Sequence, residues 1–169
     1  MPINIEIKPL DRQHGLRGFS CGEQRIDNYL CVNAWKEHKT YKMRVFAATL
    51  PGSLTVVGYY SLTFIVWRED DIVRDGPRGK MQRSGSAIPA IYLAKLGVDK
   101  AHARQGIGEQ LVRDAFIRSI AIAENAAIAT LTLDAISEDK AVWYERLGFE
   151  RFADEDLKMV IALATLRKT

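Results

Sequence analysis

Leu96-Gly97-Val98-Asp99-Lys100-Ala101-His102-Ala103-Arg104-Gln105-Gly106-Ile107-Gly108-Glu109 is the stretch that decides the fold of this chain. An apolar run from Ala90 to Val98 reads as a strand, gives way to a short polar loop, and a long helical pattern starts at Gly106. Glycines at that junction let the backbone approach a ligand closely. The first N–H groups of a helix have no intrahelical acceptor, and the positive end of the helix dipole adds to them, so an anion such as a pyrophosphate is favoured there. Taken alone, Gly-x-Gly before a helix is equally an ordinary turn. No Gly-Lys-Ser/Thr follows, which excludes a Walker loop. The third glycine of a dinucleotide fingerprint is also missing, since Gln110 and Leu111 occupy that region.

Downstream, the helical pattern runs from Gly106 to about Ala127 with Leu111, Val112, Ala115 and Ile122 on or near one face. Ile128 to Leu133 reads as a strand. Ser137 is placed to cap a helix from Glu138 to Leu147, which Gly148 ends, and Phe149–Phe152 and Met159–Leu166 read as strands. Upstream, Ser20-Cys21-Gly22-Glu23 has the form of a capping box ahead of a helical stripe of Ile26, Tyr29, Leu30 and Ala34. Met43–Leu50 and Leu54–Phe64, split by Pro51-Gly52-Ser53, form a strand–turn–strand pattern. Residues 67–86 are polar and charged and read as a long loop. The order α, β, β, loop, β, α, β, α, β, β predicts a mixed α/β sheet with at least one β–α–β crossover.

A length of 169 residues predicts one domain with a substantial core. Lys plus Arg number 24 and Asp plus Glu 21, a net charge of +3, which permits a polyanionic partner without requiring one. Two cysteines, Cys21 and Cys31, make no disulfide scaffold and read as small buried or half-buried residues without a nucleophilic role. Three dispersed histidines, His14, His38 and His102, make no zinc site, and His102 beside the glycine loop is expected to be exposed. No apolar run approaches a membrane span and the N-terminus lacks a signal-peptide pattern, so the expectation is a cytoplasmic, metal-free protein with no membrane association.

Two motifs together carry a resemblance. The strand, Gln105-Gly106-Ile107-Gly108 loop and amphipathic helix, followed by a strand and then Ala141-Val142-Trp143-Tyr144-Glu145-Arg146-Leu147-Gly148-Phe149, resemble the GNAT superfamily of N-acetyltransferases. That family's Gln/Arg-x-x-Gly-x-Gly/Ala pattern is matched at Gly106 and Gly108, but Ala103 stands at its first position, and Arg104 is the neighbouring candidate to replace it. Further segments are similar to the acetyltransferase toxins of type II toxin–antitoxin modules: Phe19–Glu23 with Asn28-Tyr29-Leu30, Val57–Leu62, and Ile88-Pro89-Ala90 ahead of Leu93–Asp99. The resemblance implies a single GNAT domain over residues 1–169, a mostly antiparallel sheet flanked by helices, and acetyl-CoA as co-substrate. It implies an aminoacyl-tRNA acceptor and a ribbon-helix-helix antitoxin, and is compatible with a homodimer. It also implies that Leu96, Gly97 and Val98 hold the acetyl and pantetheine groups through their backbone, while Arg104, Gln105, Gly106, Ile107 and Gly108 hold the pyrophosphate.

Acetyl transfer from a thioester needs a free-base amine and a proton for the leaving thiolate. Tyrosine titrates near 10 and is protonated at neutral pH, so Tyr144 is the candidate general acid; its structural alternative is an aromatic closing the core beside Trp143. No general base stands out. A lysine amine lies about 3.4 units above neutral pH, roughly 4.6 kcal/mol of deprotonation, whereas an α-amine costs only about 1 kcal/mol, which favours an α-amine acceptor such as an aminoacyl ester. Lys36, Lys39, Arg78, Lys80 and Arg83 are candidate tRNA contacts. Lys42 and Arg44 add charge, and Trp35, His38 and Tyr41 are candidate stacking platforms; a solvated charged surface is the plain alternative. Competing readings are an acetyltransferase for a small amine or a protein N-terminus, and a CoA- or partner-binding module without turnover.

Overall fold

Alternation in Ile3-Asn4-Ile5-Glu6-Ile7-Lys8 produces a strand additional to those expected, β1 (Glu6–Pro9). The computed structural model describes residues 2–68, 87–152 and 157–167. After β1 come α1 (Gln24–Asn28), a π-helical turn (Tyr29–Asn33) and α2 (Ala34–Lys39), then β2 (Arg44–Thr49), β3 (Val56–Arg68) and β4 (Ala87–Val98). A 3₁₀ turn (Lys100–His102) leads to α3 (Ile107–Asn125), β5 (Thr130–Asp134), α4 (Glu138–Arg146), β6 (Glu150–Arg151), β7 (Lys158–Ala162) and α5 (Leu163–Leu166). The seven strands form one sheet in the order β1-β2-β3-β4-β5-β7-β6. The pairs β1/β2, β2/β3, β5/β7 and β6/β7 are antiparallel, and β4/β5 is parallel, with α3 as its crossover. The expected mixed α/β fold with a mostly antiparallel sheet is the observed one.

Three local expectations are corrected. The capping box at Ser20 does not form. Gly22 has φ +98° and turns the chain before the helix, whose N-cap, Glu23, makes no side-chain cap. Asp27 takes over from inside the first turns, its carboxylate accepting from the Cys21 N–H at 2.8 Å and the Ser20 hydroxyl at 3.2 Å. The strand expected over 159–166 ends at Ala162, and Leu163–Leu166 becomes helical, with the Leu163 N–H donating to the Ala129 carbonyl at 2.9 Å. An unbroken apolar run lacks the period that would separate the two states. The expected loop at 67–86 begins later, since β3 continues through Arg68; residues 69–86 lie outside the described residues.

The chain divides into two compact units, Met1–Thr63 with Ala94–Ala115, and Phe64–Leu93 with Phe116–Thr169. In the first, the helical stripe read from sequence is the one that is buried. Ile26, Leu30 and Ala34 join Leu10, Phe19, Val45, Ala47, Val56 and Tyr59 in one core, with Tyr29 packed against it. The Tyr59 hydroxyl, deep in that core, donates to the Ile26 carbonyl at 2.7 Å, so burying it leaves no orphan. In the second unit, Trp67, Ile88, Ala90, Phe152 and Val160 form the core cluster. There the parallel pairing of β4 with β5 covers Ile91↔Leu131 and Tyr92↔Thr132, although β4 itself continues to Val98.

Candidate active site

The loop after β4 is built by Asp99. Its Oδ1 accepts from the Ala101 N–H at 2.9 Å, capping the 3₁₀ turn, and its Oδ2 accepts from the Ser20 N–H at 3.0 Å. The Lys100 N–H donates to the Ser20 carbonyl at 2.9 Å, so the loop is tied to the segment entering α1 from both sides. Beyond the 3₁₀ turn the backbone takes positive φ at Arg104 (61°) and Gly106 (77°). Alternating backbone handedness of this kind turns successive N–H groups toward one side, the arrangement that makes an anion-binding nest. A Cβ on Gly106 would lie 2.9 Å from the Pro2 Cβ, so glycine is required there both by conformation and by space. The opposite edge of the loop is pinned by the N-terminal segment: the Ile3 N–H donates to the Gln105 carbonyl at 3.1 Å, and the Gln110 side chain donates to the Ile3 carbonyl at 2.9 Å. The first helical bond of α3 runs from the Gln110 N–H to the Gly106 carbonyl at 3.2 Å, and the donors ahead of it have no place in the helix ladder.

Within this group the roles separate by burial. The Ile107 side chain is in the core, so only its backbone faces a ligand, whereas Arg104 is exposed and Gln105 and Gly108 are half-buried. On β4, Leu96 and Val98 are half-buried and Gly97 is buried. A Cβ at Gly97 would stand 2.8 Å from Ile26 Cγ2 and 3.4 Å from Cys21 Sγ, so close helix–strand packing already demands glycine at this position. His102 is half-buried, not exposed as expected, with Nδ1 3.8 Å from Asp99 Oδ1. Cys21 is half-buried, and burial, with the hydrogen bond to Asp27 second, pushes its thiol up to about 11; Cys31 is exposed instead of buried or half-buried. A thiol held so firmly protonated is a poor nucleophile.

Tyr144 lies on α4 in the second unit. Ser137 caps that helix, accepting from the Lys140 N–H at 3.4 Å, and Gly148 at φ +100° ends it. Arg151 on β6 braces it from outside, bonding both oxygens of Glu138 (2.6 and 2.9 Å) and Glu145 Oε1 (2.7 Å). The Tyr144 ring packs edge-on against Trp143 (4.8 Å between centroids) and Phe149 (5.6 Å), and burial pushes its phenol well above the ordinary tyrosine range. The group is a proton donor at neutral pH, and among the described residues its hydroxyl makes no hydrogen bond.

No general base stands out in the sequence, and among the described residues a carboxylate held by a phenol lies just ahead of α4. The Tyr92 hydroxyl on β4 donates to Asp134 Oδ2 at 2.7 Å, at the last residue of β5, where the chain turns toward α4. Forty-odd residues separate the two partners and no motif joins them, so only the parallel register brings them together.

The basic residues divide. Lys36 and Lys39 are exposed on α2, while Arg78, Lys80 and Arg83 lie outside the described residues. Of the expected stacking platforms, His38 is buried at 6 % exposure, its Nδ1 accepting from the Val45 N–H at 3.0 Å, and it stacks on Trp35, over which Arg12 lies at 5.6 Å. These two aromatic side chains serve the fold. Tyr41 is 80 % exposed, with Arg44 5.0 Å from its ring centroid. Among the described residues, no group of three or more His, Cys, Asp and Glu gathers to hold a metal, and no helix is long and apolar enough to cross a membrane.

Residues 60–151, more than half of the chain, match the acetyltransferase (GNAT) domain family. The chain belongs to the GNAT acetyltransferases. Both the glycine loop and Tyr144 fall within the matched region. Over 95% of its length the chain is 30% identical to "Probable toxin TacT" of Sinorhizobium fredii, covering 92% of that protein. It is 26% identical to a tRNA-acetylating toxin of Mycobacterium tuberculosis over 88% of this chain and 86% of that one. Among solved structures, a tyrosine-to-phenylalanine mutant of KacT superposes with a TM-score of 0.87 at 21% identity, covering 97% of this chain and 98% of the other. AtaT complexed with acetyl-methionyl-tRNAfMet gives a TM-score of 0.85 at 21% identity and 98% coverage of both chains. This GNAT protein therefore has the fold of that group along nearly its whole length.

Proposed function

We propose that this GNAT protein is a toxin that transfers acetyl from acetyl-CoA to the α-amine of an aminoacyl-tRNA and so blocks translation. The observation that carries the reading is likeness to a tRNA-acetylating toxin over most of both chains. The fold agrees, since its solved neighbours include AtaT with acetyl-methionyl-tRNAfMet, and AtaT with its antitoxin AtaR and acetyl-CoA.

In this reading residues 1–169 are one acetyltransferase domain, acting in the cytoplasm. The positive-φ backbone at Arg104 and Gly106, with the donors that open α3 ahead of its helix ladder, suits a diphosphate, and Arg104 adds an exposed guanidinium in place of the side chain that Ala103 lacks. Backbone groups of Leu96, Gly97 and Val98 hold the acyl arm. The acceptor nitrogen attacks the thioester carbonyl directly, the C–N bond forms, the C–S bond breaks, and Tyr144 gives its proton to the departing sulfur. Its raised pKa keeps that proton in place until a thiolate develops. Lys36 and Lys39 on α2, together with Arg78, Lys80 and Arg83, contact tRNA phosphates, and a ribbon-helix-helix antitoxin restrains the enzyme.

The test is transfer of labelled acetyl from acetyl-CoA to charged tRNA, measured beside free amines and protein N-termini. Label is expected in the aminoacyl ester of charged tRNA. Charge reversal at Lys36 and Lys39 is expected to weaken that reaction and flatten its salt dependence, while leaving acetyl-CoA binding intact. Label appearing only in free amines or N-termini would replace this acceptor with the alternative one.

A further inference from the structure

We propose that Asp134, oriented by Tyr92, receives the acceptor's amino group and takes up the proton it loses; this rests on the aminoacyl-tRNA reading above. Tyr92 and Thr132 are partners in the parallel β4/β5 register, and Asp134 lies two residues beyond Thr132, so all three side chains belong to one face of the sheet. Tyr92↔Thr132 is also the last pair of that parallel register, and ligands of α/β sheets collect at the carboxyl ends of parallel strands. Asp134 ends β5 at such a place, exposed, and Ala135, Ile136 and Ser137 alone separate it from the helix that carries Tyr144.

The arrangement is that of a held carboxylate with capacity to spare. The Tyr92 hydroxyl occupies Oδ2 at 2.7 Å, leaving the other oxygen as an acceptor for an ammonium. Burial first, and the carboxylate it serves second, raise the Tyr92 phenol, so it stays a donor throughout the working pH range. Across the antiparallel ladder, Lys158 is the partner of Asp134, and its ammonium lies 5.6 Å from the Trp67 ring centroid. Among the described residues Asp134 forms no ion pair, so its charge is available to a ligand.

Asp134 enters the reaction twice. It binds the amino group, and after one proton has left to solvent the free amine attacks. As the C–N bond forms, the nitrogen becomes cationic and strongly acidic. At that point the second proton passes to Asp134 and on to solvent, while Tyr144 protonates the thiolate and is itself reprotonated from solvent. The net change is loss of one proton per acetyl transferred.

The test compares the parent with D134N and Y92F, using one charged tRNA and its chemically N-acetylated form, whose amide carries no charge. The parent is expected to bind the free-amine form several-fold more tightly, and D134N to bind both alike with unchanged acetyl-CoA affinity. Turnover of D134N is expected to fall about 10²-fold and that of Y92F by less, with Y92F adding little in the D134N background. A D134N enzyme within twofold of an active parent, or one keeping the free-amine preference, overturns the assignment. A parent that does not acetylate charged tRNA at all overturns the reading beneath it instead.

Discussion

In the proposed function, Tyr144 serves packing and chemistry together. Its ring fills the space between Trp143 and Phe149, as the structural alternative required, and that burial also raises its phenol, which in the proposed mechanism holds the proton until the thiolate develops. Tyr144→Phe retains the ring, so turnover is expected to drop about 10²-fold with the melting temperature little changed; a mutant as active as the parent would take Tyr144 out of the mechanism. His38 is a contrasting case. Burial, and then the charge of Arg44, lower its pKa, and the neutral ring accepts the Val45 N–H. A group whose folded pKa lies below its unfolded value near 6.5 stabilises fully above that value, and its contribution is lost as pH falls through it. The melting temperature is therefore expected to decline from pH 7 toward pH 5, with a shallower decline in His38→Gln. Equal slopes in the two proteins would assign that decline to other groups.

Among the elements, α4 has the most complete set of boundaries. The Ser137 cap and the Gly148 stop were both legible, because each depends on a residue type next to a helical pattern. Gly148→Ala places a side chain at φ +100° and 3.4 Å from Ile161 Cδ1, so it is expected to cost about 1–2 kcal/mol in denaturant unfolding. A loss below a few tenths would mean that the turn relaxes. The brace from Arg151 to Glu138 and Glu145 was not legible, since those three residues look like ordinary surface charge until β6 folds back beside α4. The same limit explains the missing capping box. Ser20-x-x-Glu23 is a local pattern, but Gly22 turned the chain and Asp99, nearly eighty residues away, claimed the Ser20 N–H.

Taken as a whole, the molecule's net charge of +3 is modest, so the tRNA binding of the proposed function would rest on local clusters such as Lys36 and Lys39. Binding of acetyl-CoA to the folded chain alone would stabilise it by mass action. At a ligand concentration about 100 times Kd the gain is about 2.7 kcal/mol, a rise in melting temperature on the order of 5–10 °C for a chain of this size. Calorimetry showing no shift at millimolar acetyl-CoA would remove the cofactor from the proposed function. Strands β3 and β4 contribute residues to both compact units, and one cooperative transition is the expected form of that melting curve.

Local pattern sufficed for the order of most elements, the apolar stripe of Ile26, Leu30 and Ala34, the glycine loop and the tyrosine of α4. Each is a matter of periodicity or of residue types within a few positions of one another, features that short-range sterics and hydrogen bonding favour locally. Strand order, the reason for Gly97, the burial of His38 and the Tyr92–Asp134 pair needed the folded chain. Contacts between distant residues depend on which strands lie side by side and in what register, and that is settled by the packing of the sheet and the helices covering it, not by any stretch of sequence on its own.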